Sequence, residues 1–119
     1  MNPTEYERLI ERIVEHMFEE INALDASNVC SGRKSHVDGA SGFRHQIDVQ
    51  IREKSDLYLI ECKCWNRRIS VDSVLAFVGR LKDIEAHHQG NVHGTVATTV
   101  GFQCGANKIA SYFGVDLQE

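Results

Sequence analysis

An α/β fold with a mixed central sheet and helices on both faces is predicted for this chain of 119 residues. The prediction rests on an amphipathic helix at the start, a β-hairpin of two apolar strands in the middle, and alternating helix and strand after it. A hairpin contributes antiparallel pairing and helix-linked strands contribute parallel pairing, so one sheet should hold both. The length fits one domain spanning residues 1–119. At 42% hydrophobic and 25% charged residues, the composition excludes a disordered or fibrous chain.

The first helix is expected over Thr4 to Leu24. Leu9, Ile10, Ile13, Val14, Met17, Phe18, Ile21 and Leu24 recur at three- and four-residue spacing and make one apolar stripe. Thr4 and Glu7 fit a capping box. Val29 to Lys34 is a short candidate strand. Phe43 to Arg52 and Leu57 to Trp65 read as two strands joined by a turn within Glu53 to Asp56. Ser70 to His88 returns to helical spacing with Ser70 as N-cap, and Gly90 ends it. Val92 to Thr99 is β-branched and reads as a buried strand. A last helix runs through Ala106, Ile109, Ala110 and Phe113 to Gly114, and Val115 to Leu117 forms a final short strand.

No apolar run approaches the roughly 20 residues of a membrane span. The opening residues Met1 to Glu5 lack the basic and apolar stretches of a secretory signal, so the expected compartment is the cytoplasm. Cys30, Cys62, Cys64 and Cys104 are scattered, with one C-x-C and no C-x-x-C, and are expected as buried thiols rather than zinc ligands.

The hairpin carries the chemistry. An even-numbered loop sets Ile51 opposite Tyr58, Val49 opposite Ile60 and Ile47 opposite Cys62 on one apolar face. The other face then sets Gln50 opposite Leu59 and Asp48 opposite Glu61, with Lys63 projecting beside Glu61. Like charges directly across strands repel unless something neutralises them. Two carboxylates with room for water suit Mg²⁺, which takes few protein oxygens and keeps several waters. The Cys62 carbonyl, between the two side chains, is a further oxygen ligand on this reading. A surface ion-pair patch is the plain alternative. It does not account for charges interrupting the most apolar strand, on a face otherwise holding Leu57, Leu59 and Trp65.

Asp48 followed by Glu61-Cys62-Lys63, after an amphipathic first helix, resembles the D…(D/E)-x-K signature of the restriction-endonuclease-like nuclease superfamily. More narrowly, the chain is similar to the Mrr-type restriction endonuclease domain. Tyr6-Glu7 in the first helix, Glu61-Cys62-Lys63-Cys64-Trp65, and Thr98-Thr99-Val100-Gly101-Phe102 before a helix with Ala106 and Ala110 carry the likeness across nearly the whole chain. The resemblance implies a restriction-endonuclease-like α/β/α sandwich whose antiparallel hairpin holds a Mg²⁺ site, with Mn²⁺ as substitute, and hydrolysis of phosphodiester bonds in DNA. It makes Asp48 and Glu61 metal ligands and Lys63 the catalytic lysine. Glu7 matches a glutamate that many relatives bring from the first helix, where the capping box is its competing role. Ile47 stands where the superfamily's name has proline, and no recognition domain is expected within residues 1–119, so the resemblance implies specificity from a separate subunit or domain. Small stand-alone domains of this fold often act as homodimers. A junction-resolving nuclease and a non-catalytic DNA-binding module are the alternative functions.

Arg44, His45 and Gln46 upstream of Asp48, and Arg67 and Arg68 downstream of Trp65, are the expected DNA contacts. The formal charge of −4 disfavours binding nucleic acid by bulk charge, but it is unevenly distributed. Thr4 to Asp25 carries seven acidic residues against Arg8 and Arg12, whereas Arg33 to Arg68 has eight Lys and Arg against five acids. DNA contact is therefore expected on the hairpin side.

Overall fold

A computed structural model of the chain describes residues 8–10, 12, 15, 29–63 and 67–119. The first helix (α1) is represented by residues 8–10, 12 and 15; the rest of the Thr4–Leu24 expectation, with its capping box, lies outside the described residues. In chain order there follow β1 (Val29–Ser31), a 3-10 turn (Gly32–Lys34), β2 (His36–Asp38), β3 (Arg44–Gln46), β4 (Val49–Glu53) and β5 (Asp56–Lys63). Then come α2 (Val71–His87), β6 (Val92–Thr98), α3 (Cys104–Phe113) and β7 (Asp116–Gln118). Among the described residues no helix is long and apolar enough to cross a membrane.

Five strands form one mixed sheet in the order β1-β4-β5-β6-β7, and β2 pairs with β3 in a separate hairpin. β1–β4 and β4–β5 are antiparallel, while β5–β6 and β6–β7 are parallel. The parallel pairs are joined through α2 and α3. Two right-handed crossovers stepping in the same direction put both helices on the same face. That face buries Leu57, Leu59 and Val96 of the sheet against Val74, Phe77, Leu81 and Ile84 of α2 and Ala106 and Ala110 of α3. The opposite face buries Val49, Ile51, Ile60, Cys62 and Ala97 with Leu9 of α1, so helices do cover both sides.

The helix ends follow their local chemistry. Ser70 Oγ accepts the Ser73 N–H at 3.3 Å and starts α2. Gly114, with φ of 70°, takes the left-handed cap that stops α3.

The β4–β5 register has Ile51 opposite Tyr58, Gln50 opposite Leu59 and Val49 opposite Ile60, as the apolar faces require. The expected single strand from Phe43 to Arg52 is instead two strands, β3 and β4, with a bend at Ile47 and Asp48. Ile47 N–H donates to the Ser35 carbonyl, and the Asp48 carbonyl accepts from Gly32 N–H. These bonds divert the chain before it can pair with the end of β5. Ile47 consequently packs in the α2-side core and Val49 in the other, so Ile47 does not sit opposite Cys62 as expected. The expected strand from Val29 to Lys34 likewise shortens to Ser31, because Gly32 turns to φ of 76°.

The β2–β3 hairpin is fastened to α2 through Asp83. The Asp83 carboxylate accepts from Ser41 N–H at 2.9 Å, Ser41 Oγ at 2.7 Å and His45 Nε2 at 2.7 Å. Its main-chain carbonyl accepts from Ala40 N–H at 3.0 Å. Gly39 lacks the side chain that would collide with this carboxylate. The hydrogen bond from His45, then those from Ser41, hold the Asp83 carboxyl down to about 2.

Asp83→Ala is expected to release this loop, which amide hydrogen exchange would read as lost protection across residues 39–45 with β5 and β6 unchanged. The depressed pKa sets the sign in acid. The carboxylate's contribution is complete above its ordinary value of 3.8 and disappears as pH falls toward about 2. Protection factors in the loop should therefore fall across that window in the native chain and stay flat in the variant.

Candidate active site

Alternation along β5 sends Leu57 and Leu59 into the α2-side core, and the same alternation sends Glu61 and Lys63 to that face. Glu61 is only 5% exposed. A carboxylate at that depth is costly unless paired. Arg80 of α2 supplies one partner, with Nη1 at 3.1 Å from Glu61 Oε2, and Lys63 Nζ lies 3.5 Å from the same oxygen. Burial, and next the Asp48 charge, push the Glu61 carboxyl above its ordinary value, while Lys63 and Arg80 oppose the shift.

Asp48 reaches the site differently from the cross-strand pairing expected of it. The ladder ends at Val49 opposite Ile60. Beyond it the Asp48 side chain bends back, and Oδ2 accepts the Cys62 N–H at 2.9 Å. A side-chain oxygen thus takes the place of a strand partner. In an extended strand the N–H and C=O of one residue point to the same edge, so the Cys62 carbonyl faces the Asp48 side. The residues able to hold a cation are Asp48, Glu61 and that carbonyl. Among the described residues no group of three or more His, Cys, Asp and Glu could hold a metal by side chains alone.

Glu61, Lys63, Ser73, Phe77 and Arg80 line a cavity of about 220 Å³ between β5 and α2, with Asp72 also on its wall. Arg80 was missed by sequence reasoning. The signal was present: it lies three residues after Phe77 and four before Ile84, so an arginine interrupts the buried stripe of α2.

The remaining expected residues are placed as follows. Arg44 is exposed on β3 and pairs with Asp38 at 3.4 Å. His45 is turned onto Asp83, its side chain 11% exposed, and serves the loop clamp. Gln46 is exposed at the end of β3, and Arg67 and Arg68 are exposed after β5. Glu7 lies outside the described residues, as do Cys64 and Trp65.

A family model described as restriction endonuclease, Mrr_cat, matches residues 1–118. No curated protein matches the chain. The solved structures that share its fold include these three. A protein of unknown function, AF1548, is 24% identical with a TM-score of 0.68, over 88% of this chain and 53% of its own. A repair endonuclease from Pyrococcus abyssi is 19% identical with a TM-score of 0.54, over 71% of this chain and 37% of its own. The MspJI restriction endonuclease, solved with a 27-mer oligonucleotide, is 22% identical with a TM-score of 0.54, over 94% of this chain and 24% of its own. The chain spans about half of the first of these and less of the others.

The Asp48 contact separates two substitutions. Asp48→Asn keeps an oxygen to accept the Cys62 N–H and should unfold in urea close to the parent. Asp48→Ala leaves that N–H without its acceptor in a buried strand and should lose about 1–3 kcal/mol.

Proposed function

From the premise that the chain belongs to the Mrr_cat restriction-endonuclease family, we propose that it is a Mg²⁺-dependent endodeoxyribonuclease. The observation that carries the reading is that Glu61 and Lys63 share one cleft while a strand bend, which no ion-pair patch would require, turns the Asp48 carboxylate back onto the Cys62 N–H between them, where its charge acts on Glu61. The donor set fits the ion: Asp48, Glu61 and the Cys62 carbonyl are hard oxygens, and the cavity beside Glu61 leaves room for water. A bound divalent cation would polarise the scissile phosphoryl oxygen and make water a better nucleophile.

The protein's own contribution is positional and electrostatic. The Cys62 N–H fixes the Asp48 carboxylate, and Arg80 and Lys63 fix Glu61. The Lys63 ammonium, on the cleft wall, stabilises the negative charge that builds on the non-bridging phosphoryl oxygens as water attacks and the bond to the leaving oxygen breaks. Arg67 and Arg68, exposed just past β5, hold the DNA backbone beside the cleft. Arg44 and Gln46, exposed on β3, offer further contacts to the DNA backbone. Selectivity for sequence or DNA structure belongs to a separate domain, subunit or second copy.

The test is incubation of the purified protein with supercoiled, linear and branched DNA, in Mg²⁺ and in EDTA. Cleavage in Mg²⁺ alone is expected, with Mn²⁺ substituting. Lys63→Ala should lower the rate by at least about 10² with circular dichroism unchanged, and Asp48→Asn should abolish it. Cleavage that survives EDTA or both substitutions would refute the assignment; binding without cleavage would identify a non-catalytic module.

Arg67→Ala with Arg68→Ala should weaken duplex binding and lower the salt slope of log K by about 0.9 for each phosphate contact removed. Binding isotherms between 50 and 200 mM salt, a range over which such contacts are roughly separable, would read the change.

A further inference from the structure

Glu61 is held by two cations at once, Lys63 and Arg80, both on the same carboxylate oxygen. Asp48 acts on Glu61 from the bend before β4 and Asp72 stands on the cavity wall, so three carboxylates face these two cations. The two cationic partners are not equivalent. Lys63 comes from the same strand as Glu61, two residues on. Arg80 comes from α2, across the sheet–helix seam, and its side chain is 38% exposed on the cleft wall beside Ser73 and Phe77.

A dication on Asp48 and Glu61 would add two positive charges where Arg80 already stands. Arg80 and the dication would then repel while competing for one carboxylate oxygen. A DNA phosphodiester entering the cleft supplies the missing negative charge, and a guanidinium binds phosphate through two parallel N–H donors. The long arginine side chain can change partners without any movement of α2.

We propose that Arg80 is an exchangeable counter-ion: it holds Glu61 in the metal-free site and passes to a DNA phosphate when a divalent cation takes the carboxylates. The inference rests on the nuclease reading above and deepens it. Its consequence is reciprocal coupling, in which cation strengthens DNA binding and DNA strengthens cation binding by the same factor. Arg80 acts here as a positioning residue for the phosphate.

The experiment compares the full chain with Arg80→Ala and Arg80→Gln. Mn²⁺ affinity is measured by electron paramagnetic resonance with and without a duplex oligonucleotide. Duplex affinity is measured in Ca²⁺ over a range of salt. Removing Arg80 should tighten Mn²⁺ binding without DNA by at least about fivefold. It should also weaken duplex binding in Ca²⁺, lower the salt slope by about 0.9, and reduce the enhancement of Mn²⁺ binding by DNA. Opposite changes in the two affinities are the signature, since a merely structural arginine would lower thermal stability and leave the salt slope alone. Unchanged or weakened Mn²⁺ affinity, or an unchanged salt slope, would overturn the exchange. If the alanine variant fails to fold, the glutamine variant, which can still donate to Glu61, decides by the same two readings. A parent protein that binds neither Mn²⁺ nor duplex would refute the nuclease reading itself. A parent that binds both while the variants match it would refute only the exchange.

Discussion

The rest of this structure depends on one constraint: a carboxylate is buried between a sheet and a helix. Glu61 follows Leu57 and Leu59 on the face that packs against α2, and alternation leaves it only 5% exposed. An isolated charge there would be untenable, so the helix that covers it must bring a cation. Arg80 meets that requirement from beside the buried stripe of α2. With Arg80 turned toward Glu61, Phe77 and Ile84 fall into the core and Asp83 reaches the neighbouring hairpin. The chemistry-bearing residue and the packing of the helix are one problem with one solution.

The bend at Asp48 belongs to the same logic. A continuous strand would have set Asp48 directly across from Glu61, two carboxylates pressed together with a full ladder around them. The chain leaves the ladder one residue earlier, and the Asp48 side chain satisfies the Cys62 N–H in place of a backbone carbonyl. One oxygen of Asp48 is thereby committed to the backbone, which orients the carboxyl group as a whole. Departure from regular pairing is a common device for re-aiming a side chain near a site.

What the sequence disclosed divides along a physical line. The register of β4 on β5 was legible because only one alignment brings Val49, Ile51, Tyr58 and Ile60 to a common face. The start of α2 at Ser70 and the end of α3 at Gly114 were legible because capping is local chemistry. The placing of Glu61 and Lys63 on one face followed from alternation along β5, whereas Asp48 came to them by another route. The bend at Ile47 and Asp48 was not legible, since it is imposed by Ser35 and Gly32 more than ten residues upstream. For the same reason, His45 read as a DNA contact, although its partner Asp83 lies 38 positions away. Patterns report what a residue prefers; only the assembled chain reports what stands opposite it.

The parallel pairing of β5 with β6 bears on how the protein comes to be. Val49 and Ile60 are eleven positions apart, so the β4–β5 hairpin closes a short loop. Leu57 and Val92 are thirty-five positions apart, with α2 between them. Loop-closure entropy and the need to form a helix first make the second event the slower one. The hairpin therefore assembles with Glu61 still bathed in water, its charge solvated rather than countered. Only when α2 docks is that water surrendered, and Arg80 must arrive in the same step. Helix docking is thus the moment at which a solvated carboxylate on an apolar hairpin becomes a paired one.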